Sequence, residues 1–153
     1  MQAIADAAGV ARLTLYRYFA SRDLLIAALT DEMLGLMGDA AFAALAAPGP
    51  GADVLRDLLV ELAEITGRYP SILSPRPGAP TPIVQRFREA FTAVVRRGQA
   101  DGSIAADVDP VALRQAALGG LSALLRCAAD DEREHAHAGV VIADLCLRGV
   151  LPR

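Results

Sequence analysis

Ile4-Ala5-Asp6-Ala7-Ala8-Gly9-Val10-Ala11-Arg12-Leu13-Thr14-Leu15-Tyr16-Arg17-Tyr18-Phe19, followed by Ala20-Ser21-Arg22-Asp23-Leu24-Leu25, is the stretch whose reading decides the fold. Ile4, Ala5 and Ala8 set small and apolar groups on one helical face, and Gly9 supplies a tight turn. Leu15 and Phe19 then return an apolar face four residues apart. The pattern is a helix-turn-helix, with a first helix from Met1 to Ala8, a turn at Gly9-Val10 and a short second helix from Arg12 to Phe19. Its inward residues are Leu15 and Phe19. Its outward residues are Arg12, Thr14, Tyr16, Arg17 and Tyr18, all groups that hydrogen-bond phosphates or base edges. Ala11, in the N-cap position, has no hydroxyl to offer, so packing must hold this helix in place of a cap worth about 1 kcal/mol.

Working outward, Ser21 is a good N-cap for a third helix, with Asp23 in the first turn beside the positive end of the helix dipole. Leu25, Leu29, Met33, Leu36, Met37 and Ala40 recur at helical spacing, so one long helix runs to about Ala46. Pro48-Gly49-Pro50-Gly51 breaks it. Asp53 to Tyr69 is amphipathic, with Val54, Leu58, Leu62, Ile65 and Tyr69 on the apolar side. Ser71 to Pro80, rich in proline, reads as a loop. Thr81-Pro82 opens a helix carrying Ile83, Phe87, Phe91, Val94 and Val95, which Gly102 closes. Asp109-Pro110 opens the next, to about Ala129; Asp130 to His137 reads as a charged turn, and Gly139 to Leu151 as a helix apolar nearly all round. No run of strands appears. The fold class expected is all-α, with a helix-turn-helix head over residues 1–28 joined by the long helix to a helical body over 29–153.

Composition narrows the function. With 153 residues and 54% hydrophobic content, the chain can bury a large core. Its mean hydropathy of +0.35 suits helices packed on helices and a buried subunit interface. No apolar run is long enough for a membrane span and no signal peptide is evident, so no membrane partner and a cytoplasmic location are expected. The net charge of -3 argues against coating nucleic acid over the whole surface. Arg12, Arg17 and Arg22 against Asp6 nevertheless leave the first 22 residues net positive on an acidic body, as suits a protein that touches DNA at one end.

The Ile-Ala-x-x-Ala-Gly-Val, Thr-Leu-Tyr-Arg-Tyr-Phe and Ser-Arg-Asp-x-Leu elements of residues 4–25 together resemble the DNA-binding signature of TetR-type (TetR/AcrR) transcriptional regulators. The resemblance spans about the first 29 residues; beyond them it is one of all-helical pattern. It implies that Arg12 and Arg17 reach base edges or nearby phosphates, that Thr14, Tyr16 and Tyr18 contact backbone phosphates, and that Arg22 holds a phosphate. The family often has histidine at the place of Tyr18 and lysine at that of Arg22, and both replacements keep a donor. It also places one further helix before the residues that match Met1. Either the polypeptide begins upstream of Met1, the preferred expectation, or the head is weakened.

The resemblance further implies a homodimer on a palindromic operator, released by a small-molecule effector. Ala116, Gly119, Gly120 and Ala123 form a small-residue strip, and Val140, Val141, Leu145 and Leu147 lie in the apolar last helix. These are the candidate dimer residues, to be paired with their symmetry mates as a four-helix bundle; an ordinary core is the alternative. Met33, Met37, Leu59, Leu62, Tyr69, Phe87, Phe91 and Leu121 are candidate walls of an effector pocket, each equally readable as plain core. Such a lining with one hydroxyl would take an apolar effector. No cofactor is expected, and no catalytic or metal site: His135 and His137 point apart on a helix, and no nucleophile and base stand together. Cys127 and Cys146 read as small buried hydrophobes. The reading from another class is a dimeric small-molecule-binding module that has lost DNA binding.

Overall fold

The computed structural model describes residues 1–69, 82–127 and 132–151. They form seven helices: α1 (Gln2–Ala7), α2 (Arg12–Tyr18), α3 (Arg22–Ala46), α4 (Gly51–Gly67), α5 (Pro82–Ala100), α6 (Pro110–Cys127) and α7 (Glu132–Val150). The all-α expectation holds. No helix among the described residues is long and apolar enough to cross a membrane.

The apolar faces legible in the sequence meet in one core. Val54, Leu58, Leu62 and Ile65 of α4 and Phe87, Phe91, Val94 and Val95 of α5 are buried there, with Leu113, Leu121, Ile142 and Leu147 from α6 and α7. Two pairings dominate the packing, α4 on α7 and α3 on α5. Ala5, Leu15 and Leu25, the buried residues of α1, α2 and the first turns of α3, lie outside this core cluster.

Three helix ends meet where the chain turns from α3 into α4. Arg97 of α5 donates from its guanidinium to the carbonyls of Ala47 at 2.7 Å and Gly49 at 2.6 Å, just beyond the end of α3. α4 begins after Pro50, which supplies no side-chain cap. Its first amides find partners across the fold: Gly51 N–H donates to Asp101 Oδ2 at 2.7 Å and Ala52 N–H to Ser103 Oγ at 2.9 Å. This explains why α4 starts at Gly51 rather than at the expected Asp53. The contact requires glycine at position 51, since a Cβ there would lie 2.3 Å from Gly98 Cα; a Cβ on Gly98 would instead meet the Ile104 side chain at 2.5 Å. Gln99 then pins the following loop by donating to the carbonyls of Ala105, Ala106 and Val108.

Two further expectations change. Glu132 to His137, expected as part of a charged turn, is the first part of α7. The loop expected over 71–80, the Thr81 cap, Asp130 and Asp131 lie outside the described residues. At the start of α6, Asp109 Oδ1 accepts from Val111 N–H at 3.0 Å, as the sequence implies.

Two outcomes check the helix junction. Gly51→Ala, which drives a methyl into backbone, should lower unfolding free energy by roughly 1–3 kcal/mol in urea titrations. Gly35→Ala, where a Cβ meets nothing within 4 Å, should be neutral or stabilising. The hydrogen bonds of Ser103, from its side chain and backbone, and then that of the Gly51 amide hold the Asp101 carboxyl below its ordinary value. A carboxyl depressed in the folded chain stabilises fully above its unfolded value, near pH 4, and ceases to do so as pH falls through the lowered value. Asp101→Asn should therefore melt below the wild type at neutral pH, with the gap closing below about pH 4; a pH-independent gap would refute the charge's role.

Candidate nucleic-acid interface

The head is built by local signals. Gly9, at φ 66°, follows the end of α1. Its N–H donates to Asp6 O at 3.2 Å, and Val10 N–H reaches Ala5 O at 3.0 Å. That pair of bonds is a Schellman closure, which glycine's access to positive φ permits. α2 starts from Ala11 in extended conformation with no side-chain cap, as its missing hydroxyl implies. It ends at Phe19, and Ser21 then caps α3 by accepting from Leu24 N–H at 3.2 Å.

Leu15 is buried and Phe19 half-buried, so α2 turns its opposite side outward. Of the expected DNA-contacting residues, Arg12, Tyr16, Arg17, Tyr18 and Arg22 are exposed and Thr14 is half-buried. The guanidinium of Arg12 lies 5.3 Å from the Tyr16 ring centre and that of Arg17 lies 5.2 Å from the Tyr18 ring centre. Arg17 also donates to the Tyr18 hydroxyl at 3.3 Å. Such stacking, about 0.5–1 kcal/mol at an exposed site, orders a guanidinium without neutralising it. Asp6 accepts from Gln2 at 2.7 Å, and the ion pairs among the described residues, Arg56 with Asp53 and Arg148 with Asp144, lie in the body. The three arginines of the head therefore keep their charge available for an anion.

Sequence reading missed Leu13, which is 82% exposed. The signal was present: in a helix Leu13 stands about 200° round from the inward Leu15. Ala8, expected on the inner face of α1, is exposed, because α1 ends at Ala7 and the chain is already turning.

In the body, Met33, Met37, Leu59, Leu62, Phe87, Phe91 and Leu121 are all buried in the core cluster, and Tyr69 packs half-buried against it. Phe87 and Phe91 form a tilted pair with ring centres 6.0 Å apart. These residues thus come together as packed core. A separate open groove between α3 and α4 is lined by Leu36, Ala40 and Ile65 with Asp39, Glu61, Glu64 and Arg68 at its rim, and shares no residue with that set.

The small-residue strip of α6 divides. Gly120 faces Ile142 of α7, whose Cδ1 would lie 2.7 Å from an added Cβ, whereas Ala116, Gly119 and Ala123 are exposed. On α7, Val140 is 55% and Leu145 62% exposed, and Val141 is half-buried. Leu147 corrects the expectation: it turns into the chain's own core and is 2% exposed, so it is no part of that outer face. His137 is exposed, and among the described residues no group of histidine, cysteine and carboxylate side chains could hold a metal. Cys146 is half-buried, and burial pushes its thiol up.

Residues 1–29 match the family model for bacterial regulatory proteins of the tetR family. No curated protein matches the chain. Among solved structures, the chain is similar to a transcriptional regulator of the TetR/AcrR family from Thermobifida fusca YX-ER1, at 24% identity and TM-score 0.65, over 95% of this chain and 84% of that one. It is also similar to a TetR transcriptional regulator from Streptomyces coelicolor, at 25% identity and TM-score 0.61, over 97% of this chain and 85% of that one. A head that matches the tetR family model and an all-helical fold like that of TetR/AcrR regulators together support a TetR-type assignment.

Proposed function

We propose that the protein is a homodimeric repressor that binds a palindromic operator through α2 and is released by a small apolar effector. One observation carries the DNA half: Arg12, Arg17 and Arg22 are exposed on one small head with no carboxylate partner among the described residues. Uncompensated guanidiniums beside tyrosine hydroxyls suit a polyanion with patterned edges. In this reading Arg12 and Arg17 lie nearest the bases, while Thr14, Tyr16, Tyr18 and Arg22 position the helix on phosphates.

Dimerisation through α6 and α7 supplies the second head. Ala116, Gly119 and Ala123 beside Val140, Val141 and Leu145 make an apolar face with little side-chain bulk on α6, which lets two helix pairs approach closely. Twofold symmetry then sets the two α2 helices roughly 34–36 Å apart, one turn of DNA.

The effector would enter the body among Met33, Met37, Leu59, Leu62, Tyr69, Phe87, Phe91 and Leu121, where two unbranched methionines can repack around a guest. α3 carries Met33 and Met37 and, in its first turn, Arg22. A ligand favouring one tilt of α3 therefore also favours one spacing of the heads, and operator affinity falls by the difference in its affinity for the two states.

Electrophoretic shift of the protein's own upstream intergenic fragment tests the DNA reading. Binding should weaken steeply with salt, and Arg22→Ala should reduce the slope of log affinity against log salt by about 0.9. No shift at low salt, with the fold intact, would overturn it and leave a ligand-binding module. For the dimer, Leu145→Glu should give a folded monomer by sedimentation equilibrium and lose operator binding, since a carboxylate in an apolar interface is costly to desolvate. A Leu145→Glu dimer of wild-type strength would refute this interface.

A further inference from the structure

Leu13 is the most exposed large apolar side chain among the described residues, at 82%. It stands in the second position of α2, between Arg12 and Thr14, and shares a helix face with Tyr16 and Arg17 three and four residues on. Leu13, Thr14, Tyr16 and Arg17 line a shallow depression on that face. Leu15, on the other side, is buried and fixes how α2 is rotated. When Leu15 points into the head, Leu13 points away from it.

We propose that Leu13 is a specificity-determining residue that packs against the C5-methyl group of a thymine in each operator half-site. This rests on the DNA-binding reading above and names the base feature that the same face selects. The charge around Leu13 identifies the class of partner: Arg12 and Arg17 flank it with no carboxylate partner among the described residues, which suits a polyanion better than an apolar protein surface. The chemistry of the side chain identifies the base. Leucine neither donates nor accepts, so opposite guanine, adenine or cytosine it would strip water from a base-edge group and leave it unpaired. The thymine methyl is the one apolar group that a base pair presents in the major groove. Position agrees, because recognition helices bring their N-terminal residues to base edges.

Binding sites are selected by the full-length protein from a random duplex library, and each thymine of the enriched sequence is then replaced by deoxyuridine, which differs only in lacking the methyl. Thymine should be fixed at one position in each half-site. Removing that methyl from one half-site should weaken wild-type binding about fourfold, the worth of one buried methyl-sized group. Leu13→Ala, at an exposed helical site that tolerates alanine, should bind with no response to that replacement and should accept other bases there. Deoxyuridine without effect at every thymine, or undiminished sensitivity in Leu13→Ala, would overturn the role of Leu13 while leaving DNA binding intact. A Leu13→Ala protein with an altered oligomeric state and unchanged base preference would overturn it too, in favour of a protein contact. Failure to enrich any sequence would overturn the DNA-binding reading, and Leu13's role with it.

Discussion

The approach of α4 to α5 at Gly51 and Gly98 is the constraint on which the body depends. Gly51 has no Cβ, so the first turn of α4 rests directly on the backbone of α5 at Arg97 and Gly98. That closeness brings the amides of Gly51 and Ala52 within reach of Asp101 and Ser103, and the carbonyls beyond α3 within reach of Arg97. The end of α3 and the start of α4, each of which would otherwise leave backbone groups unsatisfied, are thereby satisfied by one short segment of chain. The far end of α3 is anchored, and its other end carries Arg22. At 25 residues α3 is roughly 37 Å long, so a small tilt about the anchored end becomes a larger displacement of the head.

Head and body are built on different physics. The body has a broad core from five helices, while the head buries Ala5, Leu15 and Leu25 and otherwise relies on turn chemistry: the Schellman closure at Gly9 and the Ser21 cap. A small core leaves α2 with most of its surface outward, which is what a reading helix requires. Stacking of Arg12 on Tyr16 and Arg17 on Tyr18 restricts the guanidiniums before any partner arrives. Less side-chain freedom then remains to be lost on binding.

Much of this was legible from residue order, because the deciding signals are local. Gly9 marks a positive φ, Ser21 and Asp109 are caps, and the three- and four-residue spacing of Val54, Leu58, Leu62 and Ile65 faces the core as read. What was not legible involves distant residues. The start of α4 depends on Asp101 and Ser103, about 50 positions away, which no local pattern connects to Gly51. Leu147 and Val140 both look apolar in α7, but only the placement of α4 and α6 decides that the first turns inward and the second outward. Likewise, the adjacent Gly119 and Gly120 divide between the exposed surface and a contact with Ile142. Leu13, by contrast, is placed outside by its angle from Leu15 alone, a local signal that an apolar side chain among polar ones obscures.

Hydroxyl-radical footprinting on a binding site selected by the protein most directly tests a two-headed dimer reading DNA through α2. Two α2 helices related by a twofold axis should protect two patches on one face of the duplex, centred about one helical turn, roughly 34–36 Å, apart. A single protected patch, or uniform protection along the fragment, would contradict that arrangement.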